Sequence, residues 1–205
     1  MMPLARDSLL DAAHAALARR PWSAVRMVEV AAAAGVSRQT LYNEFGSKDG
    51  LARALVRRAA EGYLAGADRA LATTADPSER LVAAAEWTAS AARENPLVKA
   101  MLTGCWSERL PAPGLSAVRS ASPVPAQRRD DGALPSPGDF LAIVRDRAVA
   151  VLAPPGPPPA DPAELAAVCE LVMRLALSCV TAPPDEGAVA DLVRGTLHRQ
   201  RPHLV

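Results

Sequence analysis

The segment MVEVAAAAGVSRQTLYNEFGSKDGL, Met27 to Leu51, decides the fold, because it holds a helix, a tight turn, a second short helix and the start of a third. Met27, Val30, Ala31 and Ala34 recur at helical spacing. Gly35 follows the last of them, where a left-handed backbone that glycine adopts cheaply ends a helix. Val36 is placed to plug the turn, and Ser37 supplies an N-cap whose hydroxyl accepts from an otherwise unpaired amide. Between Arg38 and Phe45, Leu41 and Phe45 lie four apart and face a core, which leaves Arg38, Gln39, Thr40, Tyr42 and Asn43 for the other surface. All five carry hydrogen-bonding groups. Gly46 stops this helix, Ser47 caps the next, and Lys48 falls among the free amides of a helix N-terminus, a setting suited to a phosphate.

The order Ala-Ala-x-Ala-Gly-Val-Ser-x-x-Thr-Leu-Tyr-x-x-Phe-Gly-Ser-Lys-x-x-Leu, from Ala31 to Leu51, resembles the helix-turn-helix signature of the TetR (tetracycline-repressor-like) family of bacterial regulators. Pro21-Trp22-Ser23-Ala24-Val25 resembles the family's aromatic connection between its first two helices, so the likeness spans roughly Ala5 to Val56. It implies an all-α fold of about nine helices, with a DNA-binding domain over 1–47 and a helical ligand-binding and dimerisation domain over 48–205. It also implies that Arg38, Gln39, Thr40 and Tyr42 contact bases or nearby phosphates, that Ser37 and Lys48 contact the backbone, and that Asn43 sits at a further contacting position. Side-chain chemistry agrees. Arginine pairs with guanine edges and glutamine with adenine, threonine meets a thymine methyl, and tyrosine and lysine position phosphates. Arg26 stands where the family usually carries Ser or Thr; it cannot cap in that way and is expected to reach a phosphate by charge. Glu44 also departs from the pattern, since a carboxylate beside a polyanion must turn away or accept from a cytosine amino group.

Composition is consistent with helices and with a local basic patch. Half of the 205 residues are apolar and only 3% are aromatic, and Ala and Leu outnumber the β-branched types. Net charge is +1, so DNA contact requires a concentrated patch. Residues 1–60 hold nine Lys or Arg against five Asp or Glu, and the rest hold fourteen against seventeen. The excess therefore sits with the helix-turn-helix. Cys105, Cys169 and Cys179 lack metal-ligand spacing and are odd in number, which points to buried thiols rather than a disulfide framework or zinc site. His14, His198 and His203 form no ligand pair, and no phosphate-binding glycine loop is present, so no cofactor or catalytic role is expected. Charges at Arg6, Asp7 and Asp11 interrupt any signal-peptide core, and no apolar run reaches the ~18 residues of a membrane span, so a cytoplasmic location without a membrane partner is expected.

Along the chain, the first helix is expected from about Leu4 to Arg19 with Leu10, Ala13 and Leu17 inward, ended by Pro21. Helices follow at about 48–73, from Pro77 with Asp76 as cap, from Asn95-Pro96 to about Glu108, and at 137–152, 163–181 and 185–199. Gly62 and Gly66 permit close packing or a bend. The Pro-rich segment Leu110 to Ser136 reads as a loop, with a short helical piece near Leu115 to Val118, and Ala153 to Pro162 reads as a stiff spacer.

From Leu165 to Val180 only Glu170 and Arg174 are charged, four apart where they can pair. Leu165, Val168, Val172, Leu175, Ala176 and Cys179 form a core stripe, and Leu171 and Ser178 point to a partner. The next helix groups Val189, Leu192, Val193 and Leu197. Leu171, Ser178, Val189 and Val193 are the candidate dimer surface. Trp87, Met101, Trp106, Phe140, Met173 and Leu177 are candidate linings of a ligand pocket, and their character favours an apolar or amphipathic small molecule. The expected function is a homodimeric, ligand-responsive repressor of a palindromic operator on double-stranded DNA. An activator or broad DNA binder without a metabolite ligand, and a helical enzyme or carrier, are the alternatives.

Overall fold

The computed structural model describes residues 3–111, 135–153, 162–185 and 187–199. Among them the regular structure is helical: α1 (Pro3–Arg19), a short turn of tighter helix (Trp22–Ala24), α2 (Met27–Ala33), α3 (Arg38–Phe45), α4 (Lys48–Leu71), α5 (Pro77–Glu94), α6 (Pro96–Thr103), α7 (Pro137–Leu152), α8 (Pro162–Thr181) and α9 (Ala188–Arg199). The all-α expectation holds. The chain forms two compact units, one gathering the residues up to Arg58 with the stretch that begins at Trp106, the other holding Ala59–Cys105 and the chain from Pro135. Helix α4 contributes its first part to one unit and its remainder to the other.

In the N-terminal unit, α1, α2 and α3 pack around Leu9, Leu10, Ala13, Val30, Ala31, Leu41 and Phe45, with Leu51, Leu55 and Val56 from the start of α4 also buried. Leu17, expected inward, is only half-buried, and Leu9 is buried beside Leu10 and Ala13. Trp22 is buried, and its amide donates to the Arg109 carbonyl at 2.8 Å.

In the second unit, α5 packs on α8 and α9, and α7 lies on α8. Leu81, Val82, Ala84 and Ala85 of α5 meet Leu165, Val168, Cys169, Val172 and Ala176 of α8 and Ala190, Val193 and Leu197 of α9. Small α5 residues let the helices approach closely. Pro77 opens α5 with Asp76 accepting from the Glu79 amide at 2.9 Å. Gly66 on α4 has a packing reason: a Cβ there would fall within the Trp87 indole, whose Nε1 donates to the Tyr63 carbonyl at 3.0 Å. Gly62 faces open space and has no such role.

Four expectations are corrected. Helix α6 ends at Thr103, not near Glu108, because Gly104 turns left-handed at φ 73° and its amide closes on the Ala100 carbonyl. Helix α4 ends at Leu71 rather than Thr73, and α9 begins at Ala188 rather than Asp185. Leu192 stands 45% exposed on α9 instead of joining Val193 and Leu197 inside. The short helix expected near 115–118, most of the Pro-rich segments and His203 lie outside the described residues.

Candidate nucleic-acid interface

The turn between α2 and α3 is built by short-range chemistry. The Gly35 amide bonds the Ala32 carbonyl and the Val36 amide the Ala31 carbonyl, with Gly35 left-handed at φ 67°. Ser37 caps α3, its Oγ accepting from the Thr40 amide at 3.0 Å. Leu41 and Phe45 hold the helix to the core, so Arg38, Gln39 and Asn43 are exposed and Thr40 and Tyr42 half-exposed. Gly46 ends α3 at φ 71°, and Ser47 Oγ accepts from the Gly50 amide at 3.0 Å to begin α4. The expected caps and stops of this segment are therefore all present.

The exposed residues are not independent of one another. The Arg38 guanidinium lies 5.3 Å from the Tyr42 ring centre, Gln39 Nε2 donates to Asn43 Oδ1 at 2.8 Å, and Ser37 Oγ is 2.8 Å from Thr40 Oγ1. Lys48 Nζ donates to the Ser23 carbonyl at 3.1 Å and stands 5.4 Å from the Trp22 ring centre. Burial there lowers its pKa below the ordinary 10.5, and Asp49 beside it works in the opposite direction. Arg26 is exposed at the N-cap of α2 and makes no side-chain cap there. Glu44, the carboxylate on α3, is met by Arg6 of α1 at 3.6 Å, and the same guanidinium lies 4.8 Å from the Phe45 ring centre. Sequence spacing carried no sign of that compensation, because Arg6 and Glu44 lie in different helices.

The other candidates separate. Met101, Phe140 and Met173 are buried in the second unit, Trp87 and Leu177 are half-buried there, and Trp106 belongs to the N-terminal unit. A cleft of about 420 Å³ in the second unit is lined by Glu86, Arg93, Lys99, Cys179 and Val189 among others, and by none of the six pocket candidates. A wider cleft of about 780 Å³ lies between α1 and α2, floored by alanines and edged by Asp11, Arg19, Arg20 and Glu29, with Arg20 and Glu29 ion-paired. Cys105 is exposed, contrary to expectation, since it follows the end of α6; Cys169 and Cys179 are buried. On α8, Leu171 is 42% exposed and Ser178 exposed, two turns apart on one face. Val189 is half-buried, whereas Val193 is fully buried within its own unit and leaves the α9 surface to Leu192. Glu170 pairs with Arg174 at 2.7 Å, as its spacing implies, and also with Arg145 of α7 at 3.2 Å. Among the described residues no helix is long and apolar enough to cross a membrane.

Comparison with known proteins agrees with this arrangement. The family model for bacterial regulatory proteins, tetR family, matches residues 9–55, the stretch from α1 into α4. The HTH-type transcriptional regulator AlkX of Mycobacterium tuberculosis is 32% identical over 195 residues, 93% of this chain and 82% of that protein. The HTH-type transcriptional activator FasR of Mycolicibacterium smegmatis is 41% identical over 81 residues, 40% of this chain and 37% of that protein. A crystal structure of a tetR-family transcriptional regulator from Streptomyces coelicolor shares the fold at TM-score 0.52 and 21% identity, covering 96% of this chain and 78% of that one. A capped three-helix head with a polar α3 face, a helical remainder and a relative alike over nearly the whole length lead to one assignment: the chain belongs to the TetR family of bacterial transcriptional regulators.

Proposed function

We propose that the protein is a homodimeric repressor that reads a palindromic operator in the cytoplasm and is released by an apolar or amphipathic small molecule. The observation that carries the DNA-binding part is the α3 face, where Arg38, Gln39, Thr40, Tyr42 and Asn43 present hydrogen-bonding groups to solvent from a helix fixed by Leu41 and Phe45. In this reading residues 1–47 are the DNA-binding domain and 48–205 the ligand-binding and dimerisation domain. Ser37, Lys48 and Arg26 contact the phosphate backbone, and two heads about one helical turn apart, ~34 Å, engage both half-sites. The effector enters the second unit near Trp87, Met101, Phe140, Met173 and Leu177, whose own apolar side chains suit an apolar or amphipathic molecule. Effector binding favours an arrangement of α4 that spaces the heads wrongly for the operator, so that DNA affinity falls.

The test is a mobility shift at physiological salt with the DNA upstream of the protein's own gene. Binding of a palindromic fragment well above random DNA is expected, and its absence defeats the reading. Activation is the second reading, supported by the name of the FasR relative. A reporter strain separates the two by the sign of regulation.

A further inference from the structure

The polar face of α3 is held together from within. Ser37 is joined to Thr40, Arg38 lies over Tyr42, and Gln39 donates to Asn43 at 2.8 Å, each pair spaced three or four residues apart so that the partners meet on one side of the helix. The third pair has a chemical consequence. A carboxamide offers two N–H donors and one carbonyl acceptor, and Asn43 Oδ1 occupies one of the Gln39 donors. What Gln39 has left is one N–H and its Oε1. In the major groove adenine presents the N7 acceptor beside the N6 donor, whereas guanine presents two acceptors, N7 and O6. The held amide complements adenine with its one donor and one acceptor, and it has no second N–H to give guanine.

We infer that Gln39 and Asn43 read one base pair as a single unit, in which Asn43 is a positioning residue that makes Gln39 select adenine over guanine. The inference rests on the proposed role of α3 as the DNA-contacting helix. Asn43 has been placed at a contacting position in its own right; here it acts through the Gln39 amide.

The experiment presents the full-length protein, Gln39→Ala, Asn43→Ala and Asn43→Asp to a pool of randomised DNA duplexes. Affinities are then measured on duplexes that differ at one base pair, with circular dichroism to verify that each variant is folded. Gln39→Ala identifies the base pair that residue reads. The unaltered protein should prefer adenine there by about five-fold or more. Asn43→Ala should lose that preference and keep those at other positions. Asn43→Asp keeps the acceptor oxygen and should keep the preference, while its added charge weakens binding to every duplex. An undiminished adenine preference in Asn43→Ala overturns the inference, as does an equal loss at all positions, the mark of a merely structural role. Loss of the preference in Asn43→Asp overturns it too, since the Gln39 oxygen would then be the atom facing Asn43. If the unaltered protein enriches no sequence at all, the operator-binding reading itself fails, a result distinct from these.

Discussion

Arg38 and Tyr42 stand one turn apart, with the guanidinium 5.3 Å from the ring centre, so each holds the other in place on the α3 surface. Replacing both with alanine removes the proposed base-edge donor and the proposed phosphate-positioning hydroxyl without touching Leu41 or Phe45. Arg38→Ala with Tyr42→Ala should therefore abolish operator binding in a mobility shift, while sedimentation shows the same assembly and circular dichroism the same helix content. Cys169 makes the stability of the fold pH-dependent. Burial raises its thiol from the ordinary 9.0 to about 11, against the opposing influence of Arg145. The folded chain thus holds this proton more tightly than the unfolded chain. The stability that this contributes is fully present below about pH 9 and is lost as pH rises toward about 11, amounting to on the order of 2–3 kcal/mol at full loss. Urea unfolding across that window should show falling stability, with a shallower slope in Cys169→Ala. Tyr63, whose hydroxyl is also pushed up by burial, contributes further loss above pH 10.0.

Helices α3 and α4 show how single positions decide an element. The Ser37 cap bonds the Thr40 amide, and its loss in Ser37→Ala should cost about 1 kcal/mol in thermal or chemical unfolding. The two α4 glycines behave oppositely. Gly66→Ala puts a Cβ into the Trp87 indole and should destabilise by about 1–3 kcal/mol, with a change in tryptophan fluorescence as the ring moves. Gly62→Ala meets open space on an exposed helix face and should stabilise by up to about 1 kcal/mol, because alanine has less chain freedom to lose. The sequence marks both glycines as small positions on a long helix. The Trp87 side chain, brought from α5, is what separates them.

At the scale of the whole molecule, the second unit leaves Leu171 on α8 and Leu192 on α9 exposed among helices whose other large apolar residues are mostly covered. The proposed homodimer buries these surfaces. Leu192→Asp should shift the protein toward monomer in analytical ultracentrifugation and lower operator affinity through the lost pairing of heads, while the melting temperature of the protomer changes little. Val193→Asp is expected to unfold the unit instead, because Val193 has no exposed surface at all. These two neighbours are equal in a sequence reading of α9 and differ only by which side of the helix α5 covers.

What the sequence determined by itself is mostly local. The Gly35 turn, the Ser37, Ser47 and Asp76 caps, the Gly46 stop and the inward pair Leu41 and Phe45 all depend on residues within a few positions of one another, and each is legible from spacing and side-chain type. The pairing of Glu170 with Arg174 was legible for the same reason. The tertiary structure decided what depends on residues far apart in the chain: Arg6 meeting Glu44, Trp87 seating on Gly66, Lys48 drawn onto Trp22 and Ser23, and Leu192 left outside where Val193 is buried. Cap and turn energies act over one or two turns of backbone, so they can be read along the chain. Burial and charge compensation depend on which helices come to lie beside one another, and that is settled only when the chain is packed.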